Sequence, residues 1–327
     1  MAKLRLSLAC WDYDRTRALA DGRVQPDGIE LIYQSLPVEE TFFRMMRHRE
    51  FDVAEMSLSS YLVSTFRDGA FVAIPVFPSR MFRHSGVYVN AHRGIAEPRD
   101  LAGKRVGVPE YQLTAIVWIR GILADEYGLA PSSVTYVRGG EETPGRVEKV
   151  ALTLPPEIKI EELGPGQTLS KALNAGEIDA IYAPRKPSTF GNGNVVRLWD
   201  DYPAVERAYY ERTRIFPIMH VIAIRREIYE HDRWTATALF KAFHAAQEIT
   251  YRDLQVTAAQ KTMLPWAVAE EERTRALMGD DFWSYGFAGN EHVLDTFARY
   301  HHEQGLSPQR RPARELFAPE TLEAYTI

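Results

Sequence analysis

The sequence predicts an α/β fold of two lobes, each a doubly wound mixed sheet flanked by helices, with a ligand cleft between the lobes. Strand-like segments alternate with segments of helical periodicity, and this indicates mostly parallel sheets. The alternation begins a second time after the first long connector, and 327 residues suffice for two ordinary domains. Connectors at 78–85 and 215–220 are interpreted as crossings between lobes. Lobe I is therefore predicted from residues 1–82 and 220–327, and lobe II from 83–219.

Hydrophobic spacing predicts the elements of lobe I in order. Leu4, Leu6 and Leu8 alternate with polar residues as in a strand, and a short helix is expected to begin within 11–15. Further strands are predicted at 28–33, 52–57, 72–77 and 221–224, and helices at 38–48, 234–251 and 266–278. The last two helices are amphipathic, so we expect them to pack on lobe I.

Lobe II is predicted to repeat the same alternation. Strands are expected at 86–90, 104–108 and 179–183, and a helix at 113–127 that ends at Gly128. Residues 139–168 are rich in Gly, Pro and Glu, so we predict an irregular excursion with one short strand at 149–154. This excursion is either a flap over the cleft or a plain surface insertion.

Composition restricts the class of protein. The chain is 45% hydrophobic and 25% charged, which is typical of a globular protein. Its net charge of -5 argues against nucleic acid as a partner, because a phosphate-tracking surface needs a basic excess. Cys10 is the single cysteine, so neither an internal disulfide nor a cysteine metal site can form. The alternating amino terminus differs from a secretion signal, and no apolar run suits a membrane helix; we expect a cytoplasmic protein, with a homo-oligomer left open.

Polar residues in the two connectors predict a ligand site. Arg80, Arg83 and His84 lie between two apolar strands, and His220 ends the second connector. If both connectors line one cleft, that cleft carries fixed positive charge and two imidazoles. This combination favours a small anionic ligand that carries carboxylates.

Several local sequences resemble a known family. They are Arg80-Met-Phe-Arg-His84, Pro109-Glu-Tyr-Gln-Leu-Thr-Ala115 with Trp118-Ile-Arg-Gly121, and Ile215-Phe-Pro-Ile-Met-His220. They resemble the 4,5-dihydroxyphthalate decarboxylase family, and the paired lobes resemble the type II periplasmic-binding-protein fold. The resemblance runs over nearly the whole chain. It implies conversion of 4,5-dihydroxyphthalate to 3,4-dihydroxybenzoate (protocatechuate) and carbon dioxide in phthalate degradation.

Such a decarboxylation needs a proton donor, a base and anchors for carboxylate. We predict Arg80 and Arg83 as anchors, with a structural ion pair as the alternative. His84 and His220 are the predicted acid/base residues, with a structural hydrogen-bonding role as the alternative. Glu110 is a further candidate for the base.

The remaining candidates follow predicted strands. Glu110, Tyr111 and Thr114 precede a helix, where free N–H groups favour an anion, but they could instead cap the helix or line the cleft wall. Other positions expected to face the cleft, where capping and solvation are the alternatives, are Asp12, Tyr13, Ser57, Ser59 and Arg185. Asp12 shares with Glu110 the possible role of base.

No cofactor is expected from the sequence. His84, His220, Asp12 and Glu110 form a possible N/O ligand set, but they lack the tight spacing of a zinc site, so metal-free catalysis is favoured. The predicted partner is a small aromatic dicarboxylate, with no nucleic acid and no membrane. Two alternatives are a solute-binding protein of an ABC transporter for an aromatic or other carboxylate, and another lyase on the same scaffold.

Overall fold

The fold is α/β, as predicted. The computed structural model describes residues 3–146 and 148–323. The chain forms two compact units: unit 1 takes the chain up to Arg80, His220–Leu294 and the chain from Arg311 onward, and unit 2 takes Met81–Met219 and Asp295–Arg310. The sequence placed 295–310 in lobe I, whereas this segment packs within unit 2.

The elements run in chain order as follows. The strands are β1 (Leu4–Cys10), β2 (Ile29–Ser35), β3 (Val53–Ser57), β4 (Phe71–Ile74), β5 (Val87–Asn90), β6 (Arg105–Val108), β7 (Thr135–Arg138), β8 (Lys159–Glu162), β9 (Ala180–Tyr182), β10 (Val195–Arg197) and β11 (His220–Arg225). The helices are α1 (Asp14–Ala20), α2 (Val38–His48), α3 (Leu58–Thr65), α4 (Thr114–Tyr127), α5 (Leu169–Ala175), α6 (Tyr202–Thr213), α7 (Arg226–His231), α8 (Trp234–Leu254), α9 (Ala267–Met278) and α10 (Glu291–Glu303).

Unit 1 is built on a five-stranded mixed sheet in the order β2-β1-β3-β11-β4. β1 is parallel to β2 and β3, while β11 is antiparallel to β3 and β4. The carboxyl ends of β1 and β3 therefore meet the amino end of β11. In the register of this sheet, Ser57 lies directly opposite His220.

β4 is shorter than predicted. The sequence predicted a strand at 72–77, but β4 ends at Ile74. Pro75 follows and has no N–H to donate to the neighbouring strand, so the ladder stops there. Val76 and Phe77 stay buried in the connector.

Unit 2 is built on a six-stranded sheet in the order β10-β5-β9-β6-β7-β8. The strand predicted at 149–154 is wrong, since the strand of this excursion is β8, which pairs in parallel with β7. The reason lies in Lys149, whose ammonium and backbone N–H both bind the Glu110 carboxylate instead of extending a ladder. Glu110 therefore fixes this end of the excursion.

Segment 295–310 belongs to unit 2 because α10 packs on α4. The ring of Trp118 contacts Phe297 and Tyr300, with centroids 5.4 and 5.6 Å away. Gly121 makes room for Tyr300, because a Cβ at that position would lie 2.1 Å from the tyrosine ring. The helix ends as predicted, with Gly128 in the left-handed conformation at φ 69°.

The two long helices predicted near the carboxyl end are present as α8 and α9. α8 packs against α1 in unit 1, as expected for a helix that returns to this lobe. α9 buries none of its residues completely. Within 3–146 and 148–323, no helix combines the length and apolarity needed to span a membrane.

Candidate active site

A cluster of polar side chains lies at one end of the unit 1 sheet. It contains Tyr13 just after β1, Glu55 and Ser57 on β3, and His220 at the start of β11. Side chains two residues apart on a strand share a face, so Glu55 lies on the same face as Ser57, diagonally across from His220. The sheet register therefore brings a carboxylate to an imidazole.

Glu55 is a fully buried carboxylate that accepts hydrogen bonds from four donors. The Tyr13 hydroxyl and the Nδ1 of His220 reach Oε1 at 2.7 and 2.6 Å. The backbone N–H of Trp11 and the Cys10 thiol reach Oε2 at 3.0 and 3.5 Å. Four donors match the accepting capacity of an ionised carboxylate, so the burial of this charge is compensated.

Electrostatics keep Glu55 ionised. Burial alone would raise the pKa of Glu55, but the hydrogen bond and positive charge of His220, with the Tyr13 and Trp11 donors, outweigh it and hold the pKa below its ordinary value. The pKa of Tyr13 is raised by burial and by the Glu55 charge, so its hydroxyl stays protonated and continues to donate. Burial likewise raises the pKa of the Cys10 thiol.

The Glu55 contact fixes which nitrogen of His220 is chemically available. An ionised carboxylate can only accept, so Nδ1 carries the proton of the 2.6 Å bond. Nε2 is then the nitrogen that can exchange a proton with a ligand. The ring is held against the edge of Phe42 at 4.8 Å between centroids, and the side chain stays 16% exposed. His220 is thus oriented and accessible, which a proton donor requires.

Three other predicted residues lie in unit 1. Asp12 is exposed and pairs with Arg17 at 3.2 Å. Ser59 is fully buried in the first turn of α3, the helix that directly follows Ser57. Arg80 is buried and donates to the carbonyl of Ser284 at 2.7 Å and to the side chain of Asn290.

Arg83 lies in unit 2 and is buried. Its Nε donates to the Met219 sulfur at 3.1 Å, and its Nη1 to the Pro184 carbonyl at 3.5 Å. Burial lowers the pKa of Arg83 to about 10, while the nearby charge of Glu206 works in the opposite direction. The Arg83 guanidinium therefore stays charged at neutral pH, but a thioether sulfur and a distant carbonyl give it only weak hydrogen bonds.

His84, also in unit 2, is 2% exposed. Its ring meets the rings of Trp199 and Tyr209 edge to face, each at 5.2 Å between centroids. Burial, helped by the positive charge of Arg212, lowers the pKa of His84 to about 4. This imidazole is therefore neutral at physiological pH and lacks the acidic proton of an imidazolium.

The buried His84 predicts a pH dependence of stability. Its pKa is about 4 in the folded protein against an ordinary value of 6.5, so the unfolded chain binds a proton more readily between these values. The contribution of His84 is complete above pH 6.5 and is lost as the pH falls. Between pH 7.5 and 4.5 the wild type should lose about 2–3 kcal/mol more unfolding free energy than His84→Phe. Urea unfolding at both pH values measures this.

Exposed His92 offers the matched control for that experiment. His92→Gln should keep the pH dependence of the wild type. Equal pH dependence in the wild type and His84→Phe would show that His84 is protonated in the folded protein as easily as in the unfolded one.

The residues predicted before α4 form a separate group in unit 2. The Glu110 carboxylate accepts from Arg146 Nε at 2.8 Å and from Lys149 Nζ at 2.5 Å. The Tyr111 hydroxyl donates to the Gln304 carbonyl at 3.1 Å, and its ring lies 3.6 Å below the Arg120 guanidinium. Two further predicted residues also lie in unit 2: Thr114 is buried at the start of α4, and Arg185 is exposed in the loop after β9.

Six of the predicted residues thus fall into two groups. Tyr13, Ser57 and His220 lie together in unit 1, and Glu110, Tyr111 and Thr114 lie along one segment of unit 2. In the part of the chain that the structure describes, no three His, Cys, Asp or Glu side chains are grouped so as to hold a metal ion. The binding roles assigned from the sequence to Arg80, Arg83 and Arg185 stay predictions.

Sequence reasoning missed Glu55, the centre of the unit 1 cluster. The strand 52–57 was predicted, but its glutamate was not singled out. A signal was present, because both faces of β3 are buried and a charged residue within such a strand needs a compensating partner. That partner, His220, is distant in sequence and becomes a neighbour through the antiparallel pairing of β11 with β3.

Two curated relatives match this chain, and no family model does. A 4,5-dihydroxyphthalate decarboxylase of Comamonas testosteroni is 46% identical over 330 residues, covering 100% of both chains. The chain belongs to the 4,5-dihydroxyphthalate decarboxylase family. A second protein of that name, from Pseudomonas putida, is 50% identical over 195 residues, covering 59% of this chain and 76% of the other. The family resemblance inferred from the local sequences is confirmed.

Solved structures confirm the fold class. A putative periplasmic sulfonate-binding protein SsuA from Methylobacillus flagellatus matches with a TM-score of 0.55 at 11% identity, covering 97% of this chain and 92% of that one. The alkanesulfonate-binding protein SsuA from Xanthomonas axonopodis, bound to MOPS, matches with a TM-score of 0.53 at 13% identity, covering 97% and 98%. At such low identity these matches show the periplasmic-binding-protein-like fold alone.

Proposed function

We propose that this protein decarboxylates 4,5-dihydroxyphthalate to 3,4-dihydroxybenzoate and carbon dioxide. The observation that carries the proposal is the 46% identity, over the full length of both chains, to a protein of that name. The carboxylate-held imidazole of His220 supports it independently, because the reaction needs an oriented proton donor.

The chemistry explains that need. A ring hydroxyl para to the departing carboxylate pushes electron density onto the carbon that bears this carboxylate. That carbon takes a proton, the bond to the carboxylate breaks, and its electron pair restores the aromatic ring as carbon dioxide leaves. One proton is consumed for each carbon dioxide released, and ring protonation is the step that a protein side chain can accelerate.

We assign the proton donor to Nε2 of His220. Glu55 accepts from Nδ1 and stabilises the positive imidazolium that holds a proton on Nε2. Tyr13 positions Glu55 through its hydroxyl. Ser57, opposite His220 and immediately before α3, borders the same place, where the first N–H groups of a helix favour a carboxylate. His84 is assigned a structural role, since it is buried and neutral.

The proposal is tested by incubating the purified protein with 4,5-dihydroxyphthalate, with and without a chelator, and identifying the products by chromatography and mass spectrometry. We expect 3,4-dihydroxybenzoate and carbon dioxide in equal amounts. Activity that persists in chelator supports metal-free catalysis. Activity that is lost in chelator and restored by a divalent ion contradicts metal-free catalysis. Tight binding of the diacid without any product would contradict the enzyme and favour solute capture.

A further inference from the structure

The arginines predicted from the sequence leave open how a substrate carboxylate is held in unit 1. Arg80, the predicted anchor in this unit, is 6% exposed and donates to Ser284 and Asn290 of its own unit. Another arginine, Arg15, packs on the ring of Tyr13, whose hydroxyl bonds to Glu55. Arg15 is in the first turn of α1, two residues after Tyr13.

Arg15 is held between two aromatic rings. Its guanidinium carbon lies 4.2 Å from the centre of the Tyr13 ring and 4.1 Å from the centre of the Trp283 ring. The Nε donates to the Pro78 carbonyl at 2.7 Å, and Nη1 binds Asp14 at 2.9 Å. An arginine between two rings is fixed in orientation and only weakly hydrated, so it loses little on binding an anion.

Trp283 is itself fixed. Its indole N–H donates to the Phe77 carbonyl at 2.9 Å, and its backbone N–H donates to the hydroxyl of Tyr251 at 2.9 Å. The Trp283 side of the stack is therefore held by hydrogen bonds to the connector after β4 and to α8. Arg15 thus has a prepared position rather than the freedom of an ordinary surface arginine.

One nitrogen of Arg15 remains for a ligand. Nη2 makes no hydrogen bond to any residue in 3–146 or 148–323, and it is not among the buried nitrogens of that part of the chain that lack a partner. The Arg15 side chain is 15% exposed, so Nη2 reaches solvent although most of the side chain is covered. Partial desolvation strengthens a charge-assisted hydrogen bond made there.

We propose that Arg15 binds the carboxylate that the substrate keeps. This rests on the proposed decarboxylation, in which one of two neighbouring carboxylates leaves and the other remains in the product. The Tyr13 ring lies beneath Arg15, and its hydroxyl bonds to the Glu55 oxygen that also holds His220. A diacid held by Arg15 at one carboxylate directs the carbon of the other toward Nε2 of His220. Arg15 is then the residue that distinguishes diacids from mono-acids.

The experiment measures binding, so it is independent of turnover. Isothermal titration compares 3,4-dihydroxybenzoate, which has the retained carboxylate, with catechol, which lacks it. In Arg15→Met we expect the dissociation constant of 3,4-dihydroxybenzoate to rise by about 10- to 100-fold, with catechol binding within about twofold of the wild type. Arg15→Lys keeps the charge, so its dissociation constant for 3,4-dihydroxybenzoate should lie between those of the wild type and Arg15→Met.

Arg17 provides the matched control, since it is on the same helix but 56% exposed and paired with Asp12. Arg17→Met should bind both compounds as the wild type does. Unchanged binding of 3,4-dihydroxybenzoate in Arg15→Met would overturn the proposal, as would an equal loss for catechol or no binding by the wild type. Binding that depends on Arg15 in a protein that releases no carbon dioxide would contradict the proposed reaction and leave the anchor intact.

Discussion

Replacing His220 by glutamine is expected to lower kcat for 4,5-dihydroxyphthalate by about 10²- to 10⁴-fold, the usual contribution of a positioned general acid. Glutamine can keep a hydrogen bond to Glu55 but cannot deliver a proton to carbon. Binding of 3,4-dihydroxybenzoate should change much less, because Nε2 acts on the ring carbon rather than on the retained carboxylate. Steady-state kinetics, together with titration of the product, separate the two effects.

A second histidine and carboxylate pair supplies the control. Nδ1 of His231 lies 2.8 Å from Asp232, and the imidazole is 84% exposed. His231→Gln removes a carboxylate-paired imidazole from the surface of the same unit, and its kcat should equal that of the wild type. Near-normal turnover in His220→Gln would take the imidazole out of the catalytic step.

Replacing Glu55 by glutamine should affect both activity and stability. The amide keeps one oxygen, so at least one of the donors from Tyr13, Trp11 and His220 loses its acceptor in a fully buried place. We expect the free energy of unfolding to fall by about 2–4 kcal/mol. The imidazolium of His220 also loses its anionic partner, so kcat should fall by about 10²-fold or more. Urea unfolding and steady-state kinetics on one preparation measure both.

The pKa of Glu55 gives this variant a pH signature. In the folded protein the pKa lies below its ordinary value of 4.5, so the stabilisation by the carboxylate is complete above pH 4.5 and is lost as the pH falls further. Glu55→Gln should therefore lose less stability than the wild type on acidification below pH 4.5. Asp232→Asn, which alters the carboxylate paired with the exposed His231, should retain the wild-type kcat. Wild-type kcat in Glu55→Gln would contradict the positioning role.

The sequence indicated where polar residues collect, because that follows from chain order and strand periodicity. Tyr13 and Ser57 lie at the ends of predicted strands, and His220 precedes one. In unit 1, β1 and β3 are parallel and β11 is antiparallel to β3, so these ends do meet. Local pattern was therefore sufficient to place these three residues at one end of the sheet.

Two further side chains, Glu55 and Arg15, were beyond local pattern. Glu55 is recognised by its burial and by a partner on β11, which depends on the register of an antiparallel pair. Arg15 is distinguished from its helix neighbour Arg17 by the Trp283 ring, which comes from a segment far along the chain. Single-sequence periodicity carries no information on such long-range contacts.

His84 illustrates the converse problem. Its position beside two arginines made it look like a site residue, yet the Trp199 and Tyr209 rings enclose it within unit 2. The sequence offers no signal of this enclosure, because both rings come from the segment after β10. The incorrect strand prediction at 149–154 has a similar origin, because Lys149 bonds to the buried Glu110 carboxylate instead of pairing with a neighbouring strand.

The central claim is that the imidazole oriented by Glu55 protonates the ring carbon during decarboxylation. Carbon dioxide release in a single turnover, with enzyme in excess over 4,5-dihydroxyphthalate, tests it most directly because product release no longer contributes. We predict a rate at least about 100-fold below the wild type for His220→Gln and an unchanged rate for His231→Gln. A His220→Gln rate within a few-fold of the wild type would contradict the claim.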